Sequence, residues 1–225
     1  PESYRRRTGR RPLEHLAALG VLGPHVLLGH AVHLDDAELD VLLGNEVAVA
    51  ACPWAYLRLG QGVTTAGRYA DLVRRGGRIA LGCDSENAGD AVDLLLAARL
   101  FAGLVKDATT DPCAIDATAA LGLATIDGAR AIGLDHEIGS LDVGKRADIV
   151  VVDTTGPEWT PISPDRVLQL IWASDGRAVR DVVASGRVVV RDHVCTTVDH
   201  RELAAQGVEA GNRLIGSRRA HPRDE

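Results

Sequence analysis

A histidine and an aspartate each follow a short apolar segment, at the position where a buried strand would end. His30 comes directly after residues 26–29 (VLLG), and Asp84 comes directly after residues 79–83 (IALGC). In parallel α/β folds the carboxyl ends of the strands lie at one edge of the sheet, where catalytic groups gather. An imidazole and a carboxylate at such an edge are donor types of a hydrolytic metal site. Together the two residues are therefore candidates for that chemistry.

Each of these residues also has an ordinary structural interpretation. A histidine after a strand is often a packed structural residue, and Asp84 could help to cap the helix predicted after it. His33 is interpreted as a support for the loop, because the chain leaves the strand between His30 and His33. Glu86 is typical of the start of a helix, but it lies close enough to Asp84 to stay a candidate for substrate binding.

Alternating strand and helix patterns over residues 1–137 would position these side chains. Strands are predicted at 26–29, 47–51 and 78–83, and helices at 12–19, 37–43, 66–75, 89–106, 112–121 and 124–132. Apart from Arg78 the strands are fully apolar, which is typical of parallel strands with helices on the outside. Pro53 is expected to stop the second strand.

The pattern becomes β-rich after Gly139. Residues 148–153 (DIVVVD) and 179–190 (VRDVVASGRVVV) predict strands, and the Ser185-Gly186 turn signal in the second segment predicts an antiparallel hairpin. A helix is predicted over 199–215. We therefore divide the chain into an α/β part (1–137), a small β module (138–195) and a C-terminal helix and tail (196–225).

Composition excludes several classes of protein. The net charge of −6 argues against a nucleic-acid partner, which would require a basic face. No apolar run approaches the roughly 18 residues of a membrane span, so no membrane partner is expected. The four cysteines are too far apart for a CxxC pair and are interpreted as reduced core residues of a cytoplasmic protein. Because the chain begins at Pro1 and contains no Met, we expect it to be part of a longer reading frame.

A series of short motifs resembles the metal-dependent amidohydrolase superfamily. The similar segments are 9–16 (GRRPLEHL), 27–34 (LLGHAVHL), 52–62 (CPWAYLRLGQG), 80–84 (ALGCD), 124–131 (ATIDGARA) and 138–153 (IGSLDVGKRADIVVVD). The most similar branch contains the S-adenosylhomocysteine and methylthioadenosine deaminases, cytosine deaminase and the triazine hydrolases. No single motif is decisive, but the collinear order of the whole set is highly specific.

The resemblance implies a fold and roles for two residues. The fold would be α/β: the C-terminal half of a (β/α)8 TIM barrel, strands 6 to 8, with part of a small β-sandwich-like domain. Asp84 would be the strand-8 aspartate, which binds the metal and relays a proton from metal-activated water. His30 would be the strand-6 histidine, which orients the water or the substrate and in other branches ligates a second metal. The expected metal is zinc, with iron as the alternative.

The family's other ligands would lie outside this chain, before its first residue. A zinc site needs three or four protein ligands, so the chain alone is expected neither to bind metal tightly nor to catalyse. The full-length protein would be a cytoplasmic hydrolase of C–N bonds that deaminates an amino-heterocycle, a small-molecule substrate. Homo-oligomerisation of the full-length protein stays open.

The loops that would shape the substrate pocket depart from the deaminase pattern. Trp54 and Tyr56 stand where the deaminases carry a Ser-Asn pair, and they are candidates for stacking on a flat heterocycle. The alternative is that both rings pack beneath the loop. Two other functions stay open: hydrolytic dechlorination or amide hydrolysis at the same site, and a non-catalytic scaffold with this fold. The presence of both Asp84 and His30 favours an enzyme.

Overall fold

The computed structural model describes residues 2–89 and 91–220, which form two compact units. The first unit comprises the chain up to Arg146 together with Thr154–Ala178. The second comprises Ala147–Asp153 and the chain from Val179 onward. The predicted mixed α/β class is confirmed by the elements of the two units. The domain bounds at 138 and 196 stay a prediction.

The first unit contains a three-stranded parallel sheet in chain order, as the apolar strand pattern predicted. Its strands are β1 (Leu27–Gly29), β2 (Ala48–Ala51) and β3 (Ile79–Leu81). Leu28 pairs with Val49, which in turn pairs with Ile79. The central strand is almost wholly buried, whereas Leu27 on the edge strand is 42% exposed. Because the strands are parallel, the residues that follow them emerge at the same edge.

Eleven α-helices are described in the first unit, most of them short. They are α1 (Glu2–Thr8), α2 (Pro12–Ala18), α3 (Asp36–Gly44), α4 (Pro53–Arg58), α5 (Val63–Ala66), α6 (Tyr69–Arg74), α7 (Glu86–Gly89), α8 (Leu94–Thr109), α9 (Ala117–Leu123), α10 (Ile126–Ala131) and α11 (Arg166–Ala173). Helix α3 begins as predicted, because the Asp35 carboxylate accepts the Glu38 amide N–H at 2.9 Å as an N-cap.

Several details of this unit differ from the sequence prediction: α1 and α11 were not predicted, and the helix predicted over 112–121 begins at Ala117. Three further differences have a local cause. Helix 66–75 is divided into α5 and α6 at Gly67, where a Cβ would lie 2.3 Å from the Val63 carbonyl oxygen. Pro53 does end β2, but it also starts α4, where its missing N–H has no helical partner to lose. The long helix begins at Leu94 because the Asp93 carboxylate accepts the Leu96 N–H at 3.0 Å. Asp84 therefore does not cap the long helix.

The core of the first unit combines aliphatic side chains with a small aromatic group. Leu39, Leu42, Val49 and Leu72 are at most 1% exposed, and the aromatic ring of Phe101 packs among them in the same cluster. Burial of each such side chain contributes about 1.5–3 kcal/mol to folding. This core holds the strands, and therefore their ends, in fixed positions.

The second unit is an antiparallel sheet followed by one helix. The elements are β4 (Ile149–Val152), β5 (Val179–Ala184), β6 (Arg187–Arg191), β7 (Val194–Cys195) and α12 (His200–Ala220). The predicted hairpin is confirmed, and its turn residues Ser185 and Gly186 both have positive φ, as a tight two-residue turn requires. Over residues 2–89 and 91–220, no helix is both long and apolar enough to cross a membrane.

Candidate metal centre at the strand ends

Three side chains with metal-binding donor atoms meet where the parallel strands end. His30 follows β1, Cys52 follows β2 and Asp84 lies three residues beyond β3, and their donor atoms are all within 4.8 Å of one another. His30 Nε2 lies 3.7 Å from Asp84 Oδ2. That separation is too long for a hydrogen bond. Imidazole, thiolate and carboxylate are the usual zinc donors in proteins, so the arrangement has the chemistry of a metal site.

The backbone at two of these positions adopts an unusual conformation. His30 has φ +69°, Ala31 has φ +49° and Asp84 has φ +63°, all in the left-handed region that non-glycine residues seldom adopt. Such conformations cost on the order of 1–3 kcal/mol and cluster at functional sites. The strand exit is held by a hydrogen bond from the His30 N–H to the Ala50 carbonyl at 2.9 Å.

The Asp84 carboxylate is oriented by the next residue. Its Oδ1 accepts the Ser85 backbone N–H at 2.7 Å and the Ser85 hydroxyl at 3.4 Å. Its Oδ2 faces His30. The side chain is 21% exposed, so it lies at the edge of solvent and not in the core. One carboxylate oxygen is therefore committed to local structure, and the other is available to a ligand.

The His30 ring has an unsatisfied nitrogen. Nδ1 is buried, and no hydrogen-bond partner for it exists in the part of the chain that is described. The centroids of the His30 and Tyr56 rings are 5.7 Å apart, and the rings form a T-shaped contact with an interplanar angle of 74°. Buried polar atoms usually have a partner, so this nitrogen is consistent with a ligand at the site.

Two tyrosines form a buried layer beneath the three donors. The Tyr56 hydroxyl accepts the Cys52 backbone N–H at 2.8 Å, and its oxygen lies 2.8 Å from the Tyr69 hydroxyl oxygen. The Tyr69 hydroxyl also lies against the His30 carbonyl oxygen as a donor. Burial raises the pKa of both tyrosines well above the ordinary value. Tyr56 is only 1% exposed, so packing beneath the loop fits the geometry, and the ring offers no face to a substrate.

The sequence analysis missed Cys52 as a site residue and grouped it with the core cysteines. The side chain is indeed 6% exposed, but the sulfur faces the strand ends. Burial, together with the negative charge of Asp84, raises the pKa of the Cys52 thiol. A signal was present in the sequence, because Cys52 follows its apolar strand as directly as His30 follows the strand before it.

The remaining candidates lie outside the three-donor group. Trp54 is half-buried, with Cδ1 3.4 Å from the point where a Cβ on Gly89 would lie, so it packs beside α7. Glu86 begins α7, but its side chain lies outside the described residues. His33 is exposed, and its carbonyl accepts a hydrogen bond from the Arg11 guanidinium at 2.7 Å. The roles of Trp54 and Glu86 in substrate binding stay predictions.

Comparison with protein families agrees with the motif order. Residues 2–189 match the profile of the amidohydrolase family. A 5-methylthioadenosine/S-adenosylhomocysteine deaminase of Moorella thermoacetica is 35% identical over 205 residues, which cover 91% of this chain and 47% of that protein. The chain thus spans about half the length of the curated relatives it matches.

Solved structures support the same relationship. A zinc-bound adenosine deaminase from Xanthomonas campestris superposes with a TM-score of 0.89 at 30% identity, over 96% of this chain and 48% of the other. A zinc complex of atrazine chlorohydrolase from Arthrobacter aurescens gives a TM-score of 0.82 at 24% identity, over 91% and 45%. The second similarity concerns the fold alone.

Proposed function

The chain belongs to the amidohydrolase family, and we propose that it carries one half of the active site of a metal-dependent deaminase. The observation that carries the proposal is the approach of His30 and Asp84 to 3.7 Å at the ends of parallel strands. The substrate would be a small amino-heterocycle, in keeping with the deaminases among the relatives. The protein would act in the cytoplasm as part of a longer chain.

The proposed architecture follows from the parallel sheet. β1, β2 and β3 would be strands 6, 7 and 8 of a (β/α)8 barrel, and the antiparallel sheet would be part of a small β-sandwich-like domain. The chain order of the three strands and the similarity to a zinc-bound deaminase support this assignment. The domains would then span 1–137 and 138–195, with a C-terminal helix and tail over 196–225.

Asp84 and His30 would have different roles in the reaction. The Asp84 carboxylate would hold the metal, zinc or alternatively iron, and would take up a proton from the attacking water. A bound divalent metal lowers the pKa of water from about 15.7 toward 7, which makes a nucleophile available at neutral pH. His30, with one unsatisfied nitrogen, would orient the water or the substrate. The further metal ligands would come from the rest of the full-length protein.

Residues around the donors would bind the substrate. Trp54 is half-buried beside the site and would stack on a flat ring, and Glu86 at the start of α7 would contact the substrate's polar edge. Tyr56 would act as a positioning residue, because its ring supports His30 and its hydroxyl holds the Cys52 backbone. The leaving group would be set by this pocket, and not by the metal donors.

The test uses the full-length protein and its Asp84→Asn variant. Bound metal and ammonia release would be measured with a panel of amino-purines, amino-pyrimidines and amino-triazines. We expect zinc or iron in the wild type and a loss of ammonia release of about 100-fold or more in Asp84→Asn, the size typical of a lost proton-transfer group. Asp40→Asn is the matched control, since Asp40 pairs with Arg75 on the surface.

Two results would contradict the proposal. A wild-type protein that holds no metal and releases no ammonia from any compound would favour the non-catalytic scaffold. Chloride or carboxylate release without ammonia would keep the metal-dependent hydrolase but would replace deamination by dechlorination or amide hydrolysis.

A further inference from the structure

We propose that Cys52 is a third metal donor, so that His30, Cys52 and Asp84 form a binding site for a thiophilic divalent cation of the zinc class. The inference rests on the proposed function, from which it takes Asp84 as a metal ligand, and it makes His30 a metal donor in place of the orienting role. It adds a ligand that comes from β2, the strand between the other two.

The spacing of the donors fits one shared ion. Zinc lies about 2.0–2.3 Å from nitrogen, oxygen and sulfur donors, so donors on a tetrahedral ion are roughly 3.3–3.8 Å apart. His30 Nε2 and Asp84 Oδ2 are 3.7 Å apart and have this separation already. All three donor atoms lie within 4.8 Å of one another. A side-chain adjustment of about 1 Å brings the sulfur to the same distance.

The surroundings leave room for the sulfur and leave one Asp84 oxygen available to an ion. A Cβ at Gly82 would lie 3.0 Å from Cys52 Sγ, so the glycine keeps the space beside the thiol open. Ser85 occupies Asp84 Oδ1 and leaves Oδ2 facing His30.

The thiol decides which cations the site prefers. Carboxylate and imidazole donors alone also accept harder ions, whereas a thiolate favours zinc, cobalt and cadmium over magnesium and calcium. Three donors also meet the lower limit for a zinc site. The whole 225-residue chain should therefore bind such an ion by itself. The sequence had predicted weak binding, because it identified only one histidine and one carboxylate as donors.

The experiment is a titration of the reduced, metal-free 225-residue chain with cobalt chloride. A thiolate ligand produces a sulfur-to-cobalt charge-transfer absorption in the near ultraviolet, which neither histidine nor carboxylate gives. We expect this band in the wild type and in Cys113→Ser, whose cysteine is exposed and lies outside the donor group. Cys52→Ser should lose the band and bind cobalt about 100-fold more weakly, at the upper end of the loss seen for outer-shell partners.

Several outcomes would overturn the inference: no cobalt binding, binding without the band, or a band that persists in Cys52→Ser. Circular dichroism and thermal unfolding without metal will check that Cys52→Ser folds. If Cys52→Ser does not fold, Cys52→Ala is used in its place. Asp84→Asn is a second test, since it keeps the thiol and should weaken binding. Ammonia release by full-length Cys52→Ser separates the two proposals. If the wild type releases ammonia but shows no band, the cysteine ligand fails and the deaminase stands.

Discussion

The two units each contain a histidine and a carboxylate at the same distance, in different surroundings. His30 Nε2 lies 3.7 Å from Asp84 Oδ2 in the first unit, and His193 Nε2 lies 3.7 Å from Asp153 Oδ2 in the second. Both histidine side chains are 45% exposed and both have positive φ. Only the first pair has a third donor, Cys52, within the described residues.

The difference comes from strand direction. Parallel strands deliver the residues that follow them to one edge, so β1, β2 and β3 bring three donors together. Antiparallel strands end alternately at opposite edges of a sheet and do not gather the residues that follow them. His193 lies in the short turn between β6 and β7. Its positive φ is explained by that turn, whereas no hairpin accounts for the conformation of His30 or Asp84. A distance between two side chains therefore indicates a site only in the right topology.

The largest effect on stability should come from the buried carboxylate of the first unit. Glu38 is 2% exposed, pairs with Arg11 at 2.7 Å and accepts the Leu13 N–H at 3.1 Å. Glu38→Ala removes the buried partner of Arg11, which keeps its pair with Asp35 at 2.7 Å, and it leaves the Leu13 N–H without its acceptor. The free energy of unfolding, measured by urea denaturation, should therefore fall by about 3 kcal/mol.

Glu209→Ala is the matched control in the second unit. Its pair with Arg213 is about 70% exposed on both sides, so we expect a loss of at most about 0.5 kcal/mol. Equal effects of the two substitutions would contradict the contrast between a buried ion pair in the first unit and an exposed one in the second.

A smaller effect is expected from the hydroxyl that supports His30. Tyr69→Phe removes the hydroxyl that donates to the His30 carbonyl and lies beside the Tyr56 hydroxyl. Leaving buried acceptors without a donor costs about 1–3 kcal/mol, and the displaced imidazole should also lower kcat of the full-length protein. Tyr4→Phe is the control, because the Tyr4 hydroxyl bonds only the partly buried His15 ring. Unchanged stability and kcat in Tyr69→Phe would show that the two tyrosines do not support His30.

The smallest effect concerns acid stability. A side-chain hydrogen bond from Arg177 is the main cause that lowers the pKa of Asp175 in the first unit to about 2. The native state therefore favours the ionised carboxylate, and this contribution is present above about pH 4 and lost as the pH falls toward 2. Since Arg177 is 91% exposed, solvent screening should keep it below about 1 kcal/mol.

Asp175→Asn and Asp181→Asn allow the two units to be compared. In the second unit the Asp192 backbone N–H, followed by Arg180, lowers the pKa of Asp181. Urea denaturation at neutral and acidic pH should show that each variant loses less stability than the wild type on acidification. If either variant loses more stability on acidification than the wild type does, the prediction is wrong.

Residue patterns predicted the three parallel strands, the hairpin, most of the longer helices and two of the three donors, but not α1, α4, α11 or β7. Apolar strands of fixed direction made His30 and Asp84 predictable, and Ser185-Gly186 marked the hairpin turn. Cys52 was missed because an isolated cysteine next to an apolar strand is usually a buried core residue. Its approach to Asp84 also depends on the space that Gly82 leaves beside the sulfur. The burial of Tyr56 could not be predicted either, since it depends on its stacking against Tyr69, a contact across 13 residues that no periodicity records.

The most direct test of the central claim counts metal in two matched variants of the full-length protein. Asp84→Asn and Asp153→Asn remove the carboxylates of two histidine pairs with the same spacing. Zinc content after dialysis would be measured by mass spectrometry. The account predicts that Asp153→Asn keeps the wild-type zinc content and that Asp84→Asn loses most of it. Wild-type zinc in Asp84→Asn, or equal losses in both variants, would show that the ends of the parallel strands are not the metal centre.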